Sequence, residues 1–264
     1  MTTAKQALLL SAKNLNRSFG AVVAAFDISI DIAPGERLCL IGSNGAGKTT
    51  FVNMITGYLK PSSGQIVLDG EDITALAPRE ITRRGVARSF QIPQLCMHLS
   101  VLDNMLASLH CSRGERSFLR SGREADAVGE CHSLLARFDL AKHASRPVME
   151  LPGGVRKLLD IAMALTGHPK LLMLDEPTSG VSAEEKFMTM DTVMNAIDRG
   201  TQGHPVTVVF VEHDMDIVER YASRVIAFYS GRVIADGSSH VVLEDSEVQR
   251  YVTGSVRSTA GATP

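Results

Sequence analysis

Eight residues, Gly42-Ser43-Asn44-Gly45-Ala46-Gly47-Lys48-Thr49, fit the pattern G-x-x-x-x-G-K-[ST], and Thr50 follows. That spacing suits phosphate chemistry. Glycines let backbone N–H groups turn inward around anionic oxygens with no Cβ in the way. The lysine of such a loop reaches the β- and γ-phosphates, and the hydroxyl after it sits on Mg²⁺. Here those residues are Lys48 and Thr49. The flanks agree. Arg37 to Ile41 reads as a buried strand, and Thr49 to Ile55 as the start of a helix. Phosphates would then meet a helix N-terminus, where orphan amides and the dipole favour negative charge. A glycine-rich turn is the plainer reading of the eight residues alone, and the order strand, loop, helix argues against it.

A second group is carboxylate. Leu171-Leu172-Met173-Leu174-Asp175-Glu176 is an apolar run ending in two acids. A buried strand that delivers carboxylates at its C-terminal edge suits a metal–nucleotide site. Asp175 would hold Mg²⁺, directly or through water, and Glu176 would act on an attacking water. An acidic loop after a core strand fits the same six residues. His213 follows another apolar run, Val208 to Val211. Parallel strands end on one face, so His213 can approach the same ligand. A capping or surface histidine is the competing reading. Gln91, just after Phe90, means little by itself.

The bulk properties narrow the classes. At 264 residues the chain can bury a large core, as one α/β domain or two lobes. A net charge of −2 argues against a generally basic nucleic-acid binder. The chain has no Trp and 5% aromatics, so no stacking platform for nucleic acid is evident. Cys39, Cys96, Cys111 and Cys131 form no C-x-x-C pair and read as reduced thiols of a cytoplasmic protein. The eight histidines show no H-E-x-x-H spacing. No apolar stretch approaches the roughly 18 residues of a membrane span, so any membrane role is expected to be peripheral.

The elements that must position these groups are legible in outline. Strands are expected at Ala7 to Leu15, Phe26 to Ile32, Gln65 to Leu68 and Gly85 to Phe90. Helical periodicity covers Val101 to Leu109 and Glu124 to Phe138. The polar stretch Cys111 to Ser117 between them reads as a mobile connector. The middle therefore reads as a helical lobe, about 92–166, inserted into an α/β core. Leu171 to Leu174 and Val206 to Val211 read as buried parallel strands, joined by a crossover helix from Ala183 to Ile197. Arg224 to Tyr229, Ser230-Gly231 and Arg232 to Ala235 suggest a hairpin, with two short helices after it. Ser255 to Pro264 is small and polar and reads as a disordered tail.

In this order the motifs resemble the ATP-binding subunits of ABC transporters. GSNGAGKTT looks like their Walker A, and LLMLDEP like their Walker B with its catalytic glutamate. Gln91 matches the Q-loop, and Leu151-Pro152-Gly153-Gly154-Val155 the position of the LSGGQ signature. Ser179 to Ser182 occupies the D-loop and His213 the H-loop, and Phe19 matches the aromatic that stacks on adenine. The resemblance spans about Leu8 to Gly254. It implies an α/β P-loop NTPase of the ABC type, one domain over 1–254. Its core would be a mixed sheet, with an antiparallel β portion at the N-terminal end and the helical lobe inserted. ITGYLKPSSGQIVLDGEDIT, GVARSFQ, VEHDMDIV and GRVIADG look most like the branched-chain amino acid importer subfamily, which includes LivG-like and urea-transport ATPases. The insertion Ser112 to Arg123 and the late Gln249 to Gly254 fit that group, whereas a similar lipopolysaccharide-transport ATPase tends to lack the insertion.

The resemblance also implies a mechanism. ATP and Mg²⁺ would be held by Phe19, residues 42–50, Asp175 and Gln91, with Thr49, Gln91 and Asp175 on the metal. Two subunits would close head to tail, each ATP lying between one Walker A and the other subunit's signature loop. Glu176, His213 and Gln91 would organise hydrolysis, and membrane subunits would take up the motion. Docking is expected at Gln91 and Leu95 to Val101; Leu95, Met97 and Leu99 fit either that surface or the lobe core. An external binding protein and the membrane subunits would choose the substrate, branched-chain or other amino acids or else urea or amides. The expected place is the inner face of the cell membrane.

Two departures stand out. Pro152 and Val155 replace the signature's Ser and Gln, and Ser182 stands where the D-loop has Asp or Asn. Pro152 removes a hydroxyl and an N–H, yet proline can begin a helix. Gly153 and Gly154 keep close backbone approach available. One charge-assisted hydrogen bond is worth roughly 1.5–3 kcal/mol, so closure on the partner's ATP is expected to weaken about 10- to 100-fold. An asymmetric heterodimer is the preferred expectation, with a homodimer as the other arrangement, and a weakly hydrolysing regulator is the alternative function. A repair- or translation-type ATPase fits less well, because the chain has neither long coiled coils nor a second ATPase unit.

Overall fold

Partly alternating apolar residues build one sheet and continuous apolar runs the centre of a second, and the two share a helix. The computed structural model describes residues 8–114, 124–182, 184–199 and 205–254. The tail 255–264, residues 115–123 of the connector and insertion, and the expected element starts at Ala7 and Ala183 lie outside the described residues. An antiparallel sheet has the order β2-β1-β4-β5, from β1 (Leu10–Phe19), β2 (Val22–Ile32), β4 (Ser63–Leu68) and β5 (Glu71–Asp72). The second sheet comprises β3 (Arg37–Gly42), β6 (Val86–Ser89), β7 (Leu171–Asp175), β8 (Thr207–Val211), β9 (Arg224–Tyr229) and β10 (Arg232–Gly237). Its order is β10-β9-β3-β8-β7-β6, parallel throughout except for the β9–β10 hairpin.

Burial on both faces explains the continuous apolar runs of β3, β7 and β8. Leu38, Leu40, Leu171, Met173 and Val209 face a core shared with the antiparallel sheet. Cys39, Ile41, Leu172, Leu174 and Phe210 face the opposite core. Helix α1 (Lys48–Ile55) contributes Phe51, Val52, Met54 and Ile55 to the first core. The phosphate loop is therefore held at the end of an element packed against both sheets.

Helix α2 (Pro78–Arg83) precedes β6. Between β6 and β7 lie α3 (Val101–Arg113), α4 (Ala125–Arg137) and α5 (Gly153–Leu165). Their buried faces, including Val101, Met105, Leu135, Phe138 and Leu159, join the second core. Leu95 and Met97 pack against that core, while Leu99 and Ile92 are exposed. Helix α6 (Lys186–Asp198) crosses from β7 to β8. It starts later than expected, because the amides of Glu185 and Lys186 first turn back onto the carbonyl of Ser182. Helix α7 (Met215–Tyr221) links β8 to β9, and α8 (Ser239–Glu244), α9 (Ser246–Val248) and a π turn at Gln249–Thr253 close the described chain.

Strand β1 runs four residues beyond the expected end. Asn14, with φ +50°, and register shifts along the β1–β2 pair break the alternation that would mark the strand. The extension carries Phe19 to the tip of the β1–β2 hairpin.

Candidate active site

The phosphate loop leaves β3 through glycines that no other residue can replace. Gly42 has φ +149°, and a Cβ there would lie 2.5 Å from the Phe228 carbonyl. Gly47 has φ +111°, and its Cβ would lie 2.8 Å from the Ala24 carbonyl. Gly47 caps α1, so the helix's free amides open onto the loop. Lys48 is only 5% exposed. Its Nζ donates to the carbonyls of Gly42 (2.6 Å) and Ser43 (3.2 Å). Burial lowers its pKa below the ordinary lysine value, and the charges of Glu176 and Asp175 partly offset this. A cavity of about 110 Å³ opens above the loop, walled by residues 44–50 on one side and by Glu176, Val211 and His213 on the other. A larger cavity of about 600 Å³, between α2, β6, α3 and α5, contains none of the loop.

Strands β7 and β8 run in register, with Asp175 beside Val211. Their ends bring Glu176 and His213 together. Glu176 has φ +48°, a left-handed conformation uncommon outside glycine, and its amide bonds the Val211 carbonyl at 3.1 Å. His213 Nε2 lies 3.2 Å from Glu176 Oε1, and Gln91 Nε2 donates to Glu176 Oε2 at 2.8 Å. Gln91, Glu176 and His213 therefore share one hydrogen-bonded group beside the phosphate loop. Glu212 supports it from below. Only 4% exposed, it accepts from the Thr178 hydroxyl (2.7 Å) and from the amides of Thr178 and His213 (both 3.2 Å).

Asp175 is buried, and Arg88 of β6 pairs with its Oδ2 at 2.7 Å. Thr49, Gln91 and Asp175 offer a hydroxyl, an amide carbonyl and a carboxylate. This hard oxygen set suits Mg²⁺, which takes one or two carboxylates and completes its shell with phosphate oxygens and water. Among the described residues no cluster of His, Cys, Asp and Glu forms an all-protein metal cage. The three oxygen donors fit a metal that would complete its shell with phosphate oxygens and water.

Two parts of the expected site stand apart within this single chain. Phe19 is half exposed at its hairpin tip, with the Arg17 guanidinium 5.0 Å from the ring centroid. Pro152 is the residue before α5, with φ −58°, and Gly153 begins the helix. Pro152, Gly153 and Gly154 do not wall the phosphate-loop cavity. A Cβ on Gly153 would touch nothing within 4 Å, and one on Gly154 only the Val181 side chain, at 3.8 Å. Among the described residues no neighbour requires those glycines.

Several residues around the site carry no motif. Lys157 of α5 donates to the backbone carbonyls of Phe90 (2.8 Å) and Asp175 (3.0 Å). Asp160 accepts from the Ser89 hydroxyl (2.6 Å) and from the amides of Phe90 (3.1 Å) and Gln94 (3.3 Å). Burial raises its pKa, opposed by the Ser89 bond and the Lys157 charge. The two residues tie α5 to the segment carrying Gln91. Their sequence signal is a pair of opposite charges three apart on the apolar face of a helix. That of Arg88 is a guanidinium inside a short core strand.

The ABC transporter family profile matches residues 25–179. The branched-chain amino acid transport ATP-binding protein LivG of Escherichia coli K12 is 31% identical, over 93% of this chain and 98% of its own length. BraF of Pseudomonas aeruginosa, of the same description, is 31% identical over the same shares. Among solved structures, the ADP conformation of MJ1267, an ATP-binding cassette of an ABC transporter, has a TM-score of 0.80 at 30% identity. It covers 92% of this chain and 97% of that one. CbiO1 from Clostridium perfringens, part of the ABC transporter complex cbiONQ, has a TM-score of 0.75 at 29% identity, covering 92% and 93%. Alike in sequence and fold over most of its length, the chain belongs to the ABC transporter family, as one of its ATP-hydrolysing subunits.

Proposed function

We propose that this protein powers an importer of branched-chain or other amino acids. Its relatives' names support the substrate class. The convergence of Gln91 and His213 on Glu176, beside the phosphate loop, carries the mechanistic reading. Residues 1–254 work as one ATPase unit, with about 92–166 as its helical lobe.

Phe19 stacks on the adenine, and the amides of residues 42–50 with Lys48 hold the phosphates. To do so Lys48 leaves the loop carbonyls that hold it now. Thr49, Gln91 and Asp175 would hold Mg²⁺, which when bound would supply positive charge against the phosphates. His213 orients Glu176, and Glu176 accepts the proton of the attacking water. Gln91 bonds that same carboxylate, so a turn of Gln91 to the nucleotide would release one acceptor site on Glu176 Oε2. This makes Gln91 the link between the membrane partner and the chemistry.

The partners are a second ATPase subunit, two permease subunits and an external binding protein. The intact ATP half and altered signature loop favour a heterodimer, whose other subunit supplies an unaltered signature to this chain's ATP. Exposed Ile92 and Leu99 follow Gln91 in the proposed docking segment. Among the described residues no helix is long and apolar enough to cross a membrane. The proposed place is peripheral, on the inner membrane face.

The test is reconstitution in liposomes with the permease subunits and binding protein. ATPase activity should rise when the binding protein carries leucine, isoleucine or valine. Stimulation by urea or a short amide alone would replace the substrate assignment. No stimulation by any ligand, with ATP still bound, would favour a regulatory subunit. Glu→Gln substitutions made in each subunit separately test asymmetry, and equal losses would count against it.

A further inference from the structure

Arg88 joins the two elements that carry Thr49 and Asp175. Its side chain is nine-tenths buried in β6. One terminal nitrogen donates to Asn53 Oδ1 at 2.6 Å, and the other to Asp175 Oδ2 at 2.7 Å. Asn53 lies four residues after Thr49, on the same face of α1. Asp175 ends β7. A guanidinium is a planar fork whose arms do not move independently. Arg88 thus spans from the phosphate-loop helix to the strand tip, and the Phe90 ring lies 4.9 Å from its carbon. The neighbouring lysines do not substitute for it. Lys48 bonds loop carbonyls, and Lys157 reaches Asp175 only through the backbone carbonyl.

We propose that Arg88 is a positioning residue for Mg²⁺, fixing the Asp175 carboxylate and the spacing between Thr49 and Asp175. The inference rests on the reading of Thr49 and Asp175 as metal ligands. Two effects oppose each other. A guanidinium repels a divalent cation, whereas an outer partner that holds a ligand typically contributes about 10- to 100-fold in metal affinity. Holding prevails, because the ion pair takes only one carboxylate oxygen and fixes both elements at once. Without Arg88 the carboxylate gains rotamers and α1 loses its tie to β7.

The test is binding of a fluorescent ATP analogue to the full chain, in EDTA and across a Mg²⁺ titration. In Arg88→Met the half-saturating Mg²⁺ should rise about 10-fold or more, by loss of the outer partner. Affinity in EDTA should stay within about twofold, since the phosphate-loop contacts remain. Arg88→Lys should recover part of the shift, because one amine cannot span both acceptors. Asn53→Ala cuts only the helix arm and should shift the Mg²⁺ requirement the same way by about threefold, below the full outer-partner effect. If Arg88→Met fails to fold, the Lys and Asn53 variants decide. An unchanged Mg²⁺ requirement overturns the proposal, as does an equal loss of affinity in EDTA, which would mark Arg88 as structural only. A wild-type protein whose binding ignores Mg²⁺ would instead remove the metal reading of Thr49 and Asp175 itself.

Discussion

His213 Nε2 sits 3.2 Å from Glu176 Oε1, across the ends of two adjacent parallel strands. The register of β7 and β8 creates that contact, and Glu212 fixes the histidine's backbone from below. If His213 acts by orienting Glu176, the two substitutions should not add. Glu176→Gln should lower kcat by about 10²- to 10⁴-fold, the range for a positioned acid or base. His213→Ala should cost less, about 10- to 100-fold, and the double variant should match Glu176→Gln. Steady-state ATPase of the assembled transporter measures the cycle. A double variant slower than either single one by the product of both losses would give His213 an independent role.

Gly42 provides a backbone test of the phosphate loop. Gly42→Ala places a methyl 2.5 Å from the Phe228 carbonyl. Neither the carbonyl, which is backbone of β9, nor the strained φ has room to give. Strain of this kind costs about 1–3 kcal/mol. The expected outcome is a lower Tm and lost nucleotide binding, read by thermal melts with and without ATP. Gly45→Ala is the control, since its Cβ would meet nothing within 4 Å, though its φ of +80° keeps some strain.

The apolar runs made β3, β7 and β8 readable, because strands buried on both faces need no alternation. The loop between β3 and α1 was readable because phosphate binding constrains residue type at fixed spacing. Strand β1 was half hidden, since the bulge at Asn14 breaks its period. Arg88, Asn53, Lys157, Asp160 and Glu212 were not readable as site residues. Each acts through a partner 18 to 87 positions away, except where Glu212 also bonds the next amide. The sequence marks Arg88, Lys157 and Asp160 only as charges on apolar faces; which distant groups they meet is set by the sheet order.

Asp160 tethers α5 to the segment before Gln91, so Asp160→Asn should loosen it. The amide has one acceptor oxygen for donors that now share two. An unsatisfied buried donor costs about 1–3 kcal/mol, visible as a lower Tm. The pH dependence has a definite sign. The folded-state pKa is raised by burial, so the folded chain holds this proton more tightly than the unfolded chain. Stability from Asp160 is therefore lost as pH rises from the ordinary carboxyl value through the raised one. The Tm gap between wild type and Asp160→Asn should be widest at or below the ordinary carboxyl value of 3.8 and narrow as pH rises from there. A gap that widens toward pH 8 would contradict the assignment.

If two chains close on this loop, Pro152 and Val155 should limit how tightly they do so. A Cβ at Gly153 would meet open space, so this surface is free to take a partner. Pro152→Ser with Val155→Gln restores a hydroxyl, an amide and a side-chain donor at the head of α5. In the Glu176→Gln background, ATP-dependent self-association should tighten by about 10- to 100-fold, the scale of one charge-assisted bond. Mass photometry across protein concentrations measures it. Equal dimerisation before and after would mean that the altered loop does not limit closure.

Phe19 is an aromatic ring left half exposed at a hairpin tip, with Arg17 behind it. A large ring is stable there only at some cost in exposed apolar surface, and an adenine laid on its free face would remove that surface from water. Base–aromatic stacking is worth about 1–3 kcal/mol on truncation to alanine. Phe19→Ala should therefore weaken ATP binding by about 5- to 100-fold by that same measure, while Phe19→Tyr should keep it. Because stacking needs only a π-face, GTP affinity should fall by a similar factor. Inorganic triphosphate, which has no base, should bind the variant as it binds the wild type. Competition titrations with the three ligands decide the matter. A loss of triphosphate affinity equal to that of ATP would place the effect of Phe19 in the fold of the hairpin rather than on the base.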